Sequence, residues 1–521
     1  MHFSLREKNY FRILMIGFIM CWFSIFLLQK IDFTTADLGR HLKNGEMILH
    51  KNFKVLNTNF YSQNYSDYPF VNHHWLTGVV FFLIWKAGGF IFLHLFSVFL
   101  NLLVFLILFL IAERDIGTPL ALIASLIIIP LLGERTEIRP EIFSYFFSAV
   151  FFVILLNYKK GKISRDFLFL LPLLEVFWVN FHIYFFLGPV IIGVFLIEEI
   201  ILFFKTKKGM DKTLFFVFAL SLFATLLNPL FLKGALYPLK IYKNYGYRVL
   251  ETQSVMFLEK LGFIQNPNFL LFKIIASLVV FSFILVFVKN RQNFSLANFF
   301  LGFTFGLMAL IAIRNFALFG FFALPIIASN IKIAFLEKIR IKSAEDLIGI
   351  SALGLAILII TLAVYSPKFS FQSNEFGLGL KPKTNDSAVF FKKENIKGPI
   401  FNNYDIGSYL IYHLFPNEHV FVDNRPEAYP ASFFHDIYIP LQENNDFWKK
   451  QNEFYKFNAI FFSHKDATPW GQKFLIERVK DSDWASVFAD NFAIIFVRRT
   501  NTNKELIKKY EISKDNFIIT K

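Results

Sequence analysis

Eleven apolar runs decide what this chain can become. An apolar run of about twenty residues is read as a membrane helix, because lipid offers no partner for an exposed peptide group. The runs lie near Phe11–Gln29, Phe90–Ile111, Thr118–Leu132, Ile142–Leu156, Phe167–Val179 and Tyr184–Phe204, then Thr213–Leu227, Phe269–Val288, Phe299–Ile313, Phe316–Ser329 and Leu347–Val364. The first follows a short basic start with Arg6 and Lys8. It is long for a signal-peptide core and no small-x-small site follows, so it reads as an uncleaved span. From about Ser366 the composition shifts to that of an ordinary soluble domain. The expected architecture is a multi-pass α-helical membrane protein with a small C-terminal α/β domain. The transmembrane domain covers 1–365, with its first outer loop at 30–88, and the soluble domain covers 366–521.

Composition narrows the function classes. Hydrophobic residues are 55% and charged residues 18%, with 73 Phe, against about a quarter charged in a soluble domain. That excludes an ordinary cytosolic enzyme, and the apolar content excludes disorder. The single cysteine, Cys21, excludes a disulfide scaffold. A net charge of +15 points to anionic lipid headgroups before nucleic acid.

Positive charge sets the expected topology. His74–Ala87 is apolar but short before Gly88-Gly89. If it does not cross, the short basic loops share one side with the N-terminus. They hold Lys159, Lys160, Lys162 and Arg165; Lys205, Lys207, Lys208 and Lys212; Lys289 and Arg291; and Lys332, Lys338, Arg340 and Lys342. The segment is therefore expected as a juxtamembrane helix, with eleven spans, the N-terminus inside and the C-terminal domain outside. A twelve-span count would put both on one side.

With that topology the polar interruptions collect on the outer side. The first outer loop carries Asp32, Asp37, Arg40, His41, Glu46, His73 and His74. The next outer turn reads Glu134-Arg135-Thr136-Glu137-Ile138-Arg139-Pro140-Glu141, and further along come Asn180, His182, Asn228-Pro229 and Arg314-Asn315. Each alone reads better as a helix-end anchor or a snorkelling arginine. Together they outline a polar site, because ionisable groups at membrane depth are costly and usually functional. Within the first loop, Thr34 or Thr35 is expected to cap a helix start. Asp37, Arg40 and His41 would then share a face. His73-His74 is no zinc signature, since neighbouring histidines on a helix diverge and no second ligand pair has metal spacing. A solvated amphipathic helix with a local ion pair is the plainer alternative.

Short motifs run in order along the chain: Asp37-Leu38-Gly39-Arg40-His41-Leu42, Asn59-Phe60-Tyr61-Ser62, Asn72-His73-His74-Trp75-Leu76, Arg139-Pro140-Glu141-Ile142-Phe143-Ser144 and Trp178-Val179-Asn180-Phe181-His182. Then come Asn228-Pro229, Arg314-Asn315 followed by Pro325, Asn403-Tyr404-Asp405-Ile406-Gly407-Ser408 and Val422-Asp423-Asn424-Arg425-Pro426-Glu427. In these the sequence resembles the bacterial multi-pass proteins related to GT-C glycosyltransferases. These include the dolichyl-phosphate-mannose mannosyltransferase and aminoarabinose-transferase types. The resemblance implies a GT-C-like fold and a site outside the membrane that takes a sugar from a polyprenyl-phosphate carrier. It assigns the first-loop acid, Asp37 by position, as base or metal ligand, so a divalent metal is compatible with it though none is specified. It places Glu134, Glu137 and Arg139 in a second outer motif. Relatives often carry aromatics after the loop acid, where this chain has Leu38-Gly39-Arg40.

The chemistry expected is displacement at an anomeric carbon. Asp37 would accept the acceptor's proton. Arg139 and Arg314 would meet the lipid phosphate, because a guanidinium offers fixed donors to its oxygens. Arg40, His41, His74, Glu134, Glu137, Asn180 and His182 would line the cleft. No Gly-rich phosphate loop supports a nucleotide-sugar donor. The expected partners are a polyprenyl-phosphate sugar, a glycan, lipid or protein acceptor and the bilayer of a bacterial cytoplasmic membrane. In the tail, strands are expected near Pro399–Phe401, His419–Asp423, Ala459–Phe462, Trp484–Phe488 and Ala493–Arg498, and helices near Asp386–Asn395, Ile406–Leu414, Ala431–Tyr438 and Asp446–Phe457. Asp423 and Arg425 read as an ion pair or an acceptor contact. A non-catalytic scaffold and a lipid or glycan transporter remain alternatives, although no internal repeat favours transport.

Overall fold

The computed structural model describes residues 5–207, 212–241, 245–263, 265–335, 344–366 and 376–518. Lys208, Lys338, Arg340 and Lys342 of the basic loops lie outside them. Each of the eleven apolar runs is helical. Among the described residues, seven helices are long and apolar enough to cross a membrane, and Thr118–Leu132, Lys212–Ala224 and Leu296–Ile311 are shorter apolar helices. Leu170–Phe181 accounts for the remaining run. Large apolar side chains stay exposed along the spans, among them Phe204, Val288 and Ile360. Water would penalise such a surface and lipid does not. The chain is a multi-pass membrane protein.

Contacts divide it into two compact units. The first joins Met1–Lys30, His94–Leu227 and Val249–Leu378, and the second joins Ile31–Leu93, Asn228–Arg248 and Gly379–Lys521.

The first unit is helical. At one end of its bundle the basic loops find carboxylates. Arg12 donates twice to Glu113 at 2.7 Å, and Lys332 and Lys160 reach Asp115 at 2.9 and 4.0 Å. Inside the bundle, polar groups pair with one another. Asn330 donates to Ser282 and Asn298 to Ser329, at 2.9 and 3.1 Å. An unpaired polar group there would cost several kcal/mol, roughly, in lipid.

The second unit is mixed. Its sheet has the order β1 (Ile400–Asn402), β2 (Ala459–Phe462), β4 (Ile494–Arg498), β3 (Trp484–Ala489). β1 runs parallel to β2, and the β2–β4 and β4–β3 pairs are antiparallel. Helices Asp386–Lys393, Gly407–Leu414, Asn445–Tyr455, Pro469–Lys480 and Lys504–Tyr510 accompany it. The strand expected over 419–423 does not form. Val420 makes one isolated bridge to Ser62, while the Asn402 side chain donates to Val422 O and accepts from Phe421 N at 2.8 and 2.9 Å. One carboxamide thus takes the bonds a ladder would have made.

The first loop packs within this unit. Helix Leu38–Leu49 crosses the helix that begins at Trp75 so closely that a Cβ on Gly45 would lie 2.1 Å from Gly78 O. The helical stretch Trp75–Ile116 breaks at Gly88-Gly89. Gly89 has φ 65, which only glycine adopts without strain. The juxtamembrane helix expected over His74–Ala87 is therefore a distinct segment, set off from the span that follows. Arg425 latches the loop. It donates to both Asp423 oxygens at 2.7 and 2.6 Å and to Asn59 Oδ1 at 2.7 Å, with its guanidinium 4.6 Å over Phe70. The Asp-x-Arg pair is a buried ion pair.

Candidate functional site

Each unit carries its own cluster of charged and polar side chains. In the helical unit the cluster grows from the turn between helices Thr118–Leu132 and Glu141–Lys159. Pro140 precedes the second helix and Glu141 occupies its first turn, where a negative charge suits the helix dipole. Glu141 is buried and receives Arg135 at 2.7 and 3.3 Å, Arg314 at 3.1 Å and the Tyr145 hydroxyl at 3.3 Å. A second carboxylate, Glu251, comes from the short turn Leu250–Thr252. Arg135 donates to it at 2.8 Å and Arg139 at 3.0 Å, with Arg314 at 3.9 Å. Arg139 also donates to Glu137. Burial alone would raise the Glu251 carboxyl; Arg139, Arg135 and Arg314 overcome it and hold it well below the usual carboxylate range. Burial opposes the charge on Arg135, yet Glu141 and Glu251 raise it well above its ordinary value. Three guanidiniums and three carboxylates thus form one connected network.

Arg314 also lies 5.7 Å over the Tyr184 ring, and the Tyr184 hydroxyl donates to Asn315 at 2.6 Å. His182 stacks edge-on at 4.6 Å from Tyr184 and shares a 2.7 Å hydrogen bond with Ser144, to which Trp178 Nε1 also donates. His182 is completely buried, so it supports Tyr184 from behind. Asn180 and Glu134 stand apart. Asn180 donates to Val176 O and Leu227 O, tying two helix ends. Glu134 accepts from Asn266 and Asn268 at the start of helix Pro267–Asn290.

In the mixed unit, Asp37 precedes helix Leu38–Leu49 at its N-cap, with no side-chain cap bond. The expected Thr34 cap is not made, because Thr34 Oγ1 donates to Asp32 at 2.6 Å instead. Asp32 in turn receives Lys465 at 2.7 Å. Arg40 and His41 are buried, and Arg40 N donates to Ser408 Oγ at 2.8 Å. His41 and His74 rings lie 5.4 Å apart and His73 and His74 rings 3.8 Å apart. The divergence expected of neighbouring histidines fails because the pair sits just before the helix at Trp75, not inside it. Among the described residues no three His, Cys, Asp or Glu gather as a metal would need.

Acidic groups face one another in this unit. Asp405, of the Asn403-Tyr404-Asp405 motif, is pushed up to about 7 by burial, then by Asp466 and Asp37. Asp466 itself is held by Asn403 at 3.0 Å and caps Thr468 at 2.9 Å. Burial also raises Glu427, against the pull of Arg40 and Arg425. Sequence reading had left Glu251, Arg135 and Asp405 off the site. Arg135 and Asp405 stood inside quoted motifs; Glu251 has no motif, and its partners lie 112 and 116 residues away.

No protein-family model and no curated protein sequence matches the chain. Solved structures of membrane-bound transferases match its fold at 11–12% identity. An Archaeoglobus fulgidus oligosaccharyltransferase tethered to an acceptor peptide superposes with a TM-score of 0.59 at 12% identity, over 95% of this chain and 74% of that one. AglB from the same organism, in complex with an inhibitory peptide and a dolichol-phosphate, gives 0.57 at 11% identity over 94% and 74%. ArnT from Cupriavidus metallidurans bound to undecaprenyl phosphate gives 0.51 at 12% identity over 96% and 99%.

Proposed function

We propose that this protein transfers a sugar from a polyprenyl-phosphate-linked donor to an acceptor hydroxyl at the extracytoplasmic face of a bacterial cytoplasmic membrane. The observation that carries the reading is the convergence of Arg135, Arg139 and Arg314 in a chain whose fold is shared with structures holding dolichol-phosphate and undecaprenyl phosphate. Roles are assigned residue by residue, each within its own unit. The arginines receive the donor phosphate. Asp37 accepts the proton of the acceptor hydroxyl as that oxygen bonds to the anomeric carbon. The bond from that carbon to the phosphate oxygen breaks, and the lipid phosphate leaves as a monoester with one more negative charge. Guanidiniums stabilise charge that grows in the transition state. Arg40, His41 and His74 shape the surroundings of Asp37, and His182 supports the arginine side through Tyr184. The described residues offer no metal ligand set, so no step runs through a metal.

The domain division at 365/366 and the orientation belong to the same reading. Lys160 and Lys332 share Asp115, which supports basic loops gathered on the cytoplasmic side with the N-terminus. The test is a transfer assay in membranes with radiolabelled polyprenyl-phosphate sugars. Wild type is expected to label an acceptor, and Asp37→Asn to lose about 10²–10⁴-fold in rate with unchanged insertion and melting. Equal transfer by both would remove Asp37 from the chemistry. No transfer from any donor by an inserted, folded protein would return weight to the scaffold and transport readings.

A further inference from the structure

Glu141 and Glu251 meet the same arginines but are built differently. Glu141 belongs to the 19-residue helix Glu141–Lys159; its side chain is 5% exposed and the Tyr145 hydroxyl also holds it. Glu251 hangs from a three-residue turn, its side chain is 19% exposed, and its partners in the network are the three guanidiniums. Glu141 is anchored in a helix, whereas Glu251 sits on a short turn and is the more exposed of the two.

A carboxylate gripped by three guanidiniums has the geometry of a bound phosphate, since both present oxygens to the same planar donors. We propose that Glu251 is a placeholder: its carboxylate occupies, among Arg135, Arg139 and Arg314, the position of the polyprenyl phosphate, and yields it when that phosphate binds. This rests on the donor reading above. With Glu251 in place, one negative charge is set against the three guanidiniums at this point. With Glu251 withdrawn, the net charge there rises by one, the charge that a phosphodiester brings. The product monoester, at about −1.5 to −2 near neutral pH, gains more from the arginines than the donor did. A carboxylate waiting to return gives that product a competitor and so favours its release.

The inference is tested by binding of undecaprenyl phosphate to the purified full chain, read as lipid occupancy by native mass spectrometry, with undecaprenol as the uncharged control. Glu251→Gln keeps the shape and removes the competing charge. A site closed by its own carboxylate nine-tenths of the time gains about tenfold in apparent affinity when opened. The expected result is a severalfold gain for the phosphate and none for undecaprenol. Glu251→Asp, whose shorter arm grips less well, gains less and decides the matter if Glu251→Gln does not fold. Unchanged or weaker phosphate binding by the folded variant, or an equal gain for undecaprenol, overturns the placeholder while leaving the donor reading intact. Absence of undecaprenyl phosphate binding by wild type and both variants removes the donor reading itself and the placeholder with it.

Discussion

The helical unit and the mixed unit handle charge in opposite ways. In the first, Arg135, Arg139 and Arg314 are matched by Glu137, Glu141 and Glu251. In the second, Asp37, Asp405 and Asp466 stand near enough to raise Asp405 toward neutrality. Matched charges hold a place that another anion can enter only by exchange. A buried carboxyl raised to about 7, as Asp405 is, holds its proton with little preference near neutral pH. The difference teaches that the helical unit settles its buried charges by pairing them, whereas the mixed unit leaves a buried carboxyl poised near neutrality.

That contrast can be broken at three points, in order of decreasing effect. Arg135→Met takes one guanidinium from both Glu141 and Glu251, which keep Arg314 and Arg139, and removing one partner of a buried pair costs about 3–5 kcal/mol. Thermal unfolding of the detergent-solubilised protein should show a large drop, and a small one would mean that the network is not connected through Arg135. Asp405→Asn should act in the other direction. The folded carboxyl binds its proton more tightly than the unfolded one, so wild type loses stability as pH rises from about 4 to about 7. The variant escapes that loss. It should be more stable than wild type at pH 8, by on the order of 1–2 kcal/mol, and no different below pH 4. Melting curves across that range check it, and a constant difference between the proteins would refute the assignment. Glu137→Gln touches an exposed carboxylate, and a surface pair is worth under about 1 kcal/mol. Its melting temperature should barely move, which would confine the strong coupling to Glu141 and Glu251.

Much of this organisation is legible along the chain. The eleven runs mark the helices because lipid enforces length and apolarity on each segment independently. Asp423 and Arg425 could be paired because they are two residues apart. What escapes is whatever depends on a distant side chain. Glu251 reaches Arg135 and Arg139 across more than a hundred residues. Thr34 fails as a cap because Asp32 competes for its hydroxyl. His73 and His74 converge because the helix begins at Trp75, after both of them. The expected strand over 419–423 had the right composition, yet Asn402 satisfied its backbone first.

That last substitution reaches beyond the local fold. β1 and β3 are the two margins of the sheet. Beside β1 the Asn402 side chain ties down Phe421 and Val422, and on β3 the chain returns so that Ile512 N donates to Ser486 O at 2.8 Å. A margin with free peptide groups invites a strand from another molecule. Membrane proteins meet one another in two dimensions, where copies are crowded and already oriented. Margins accompanied by other stretches of their own chain leave a neighbouring copy less room to add a strand.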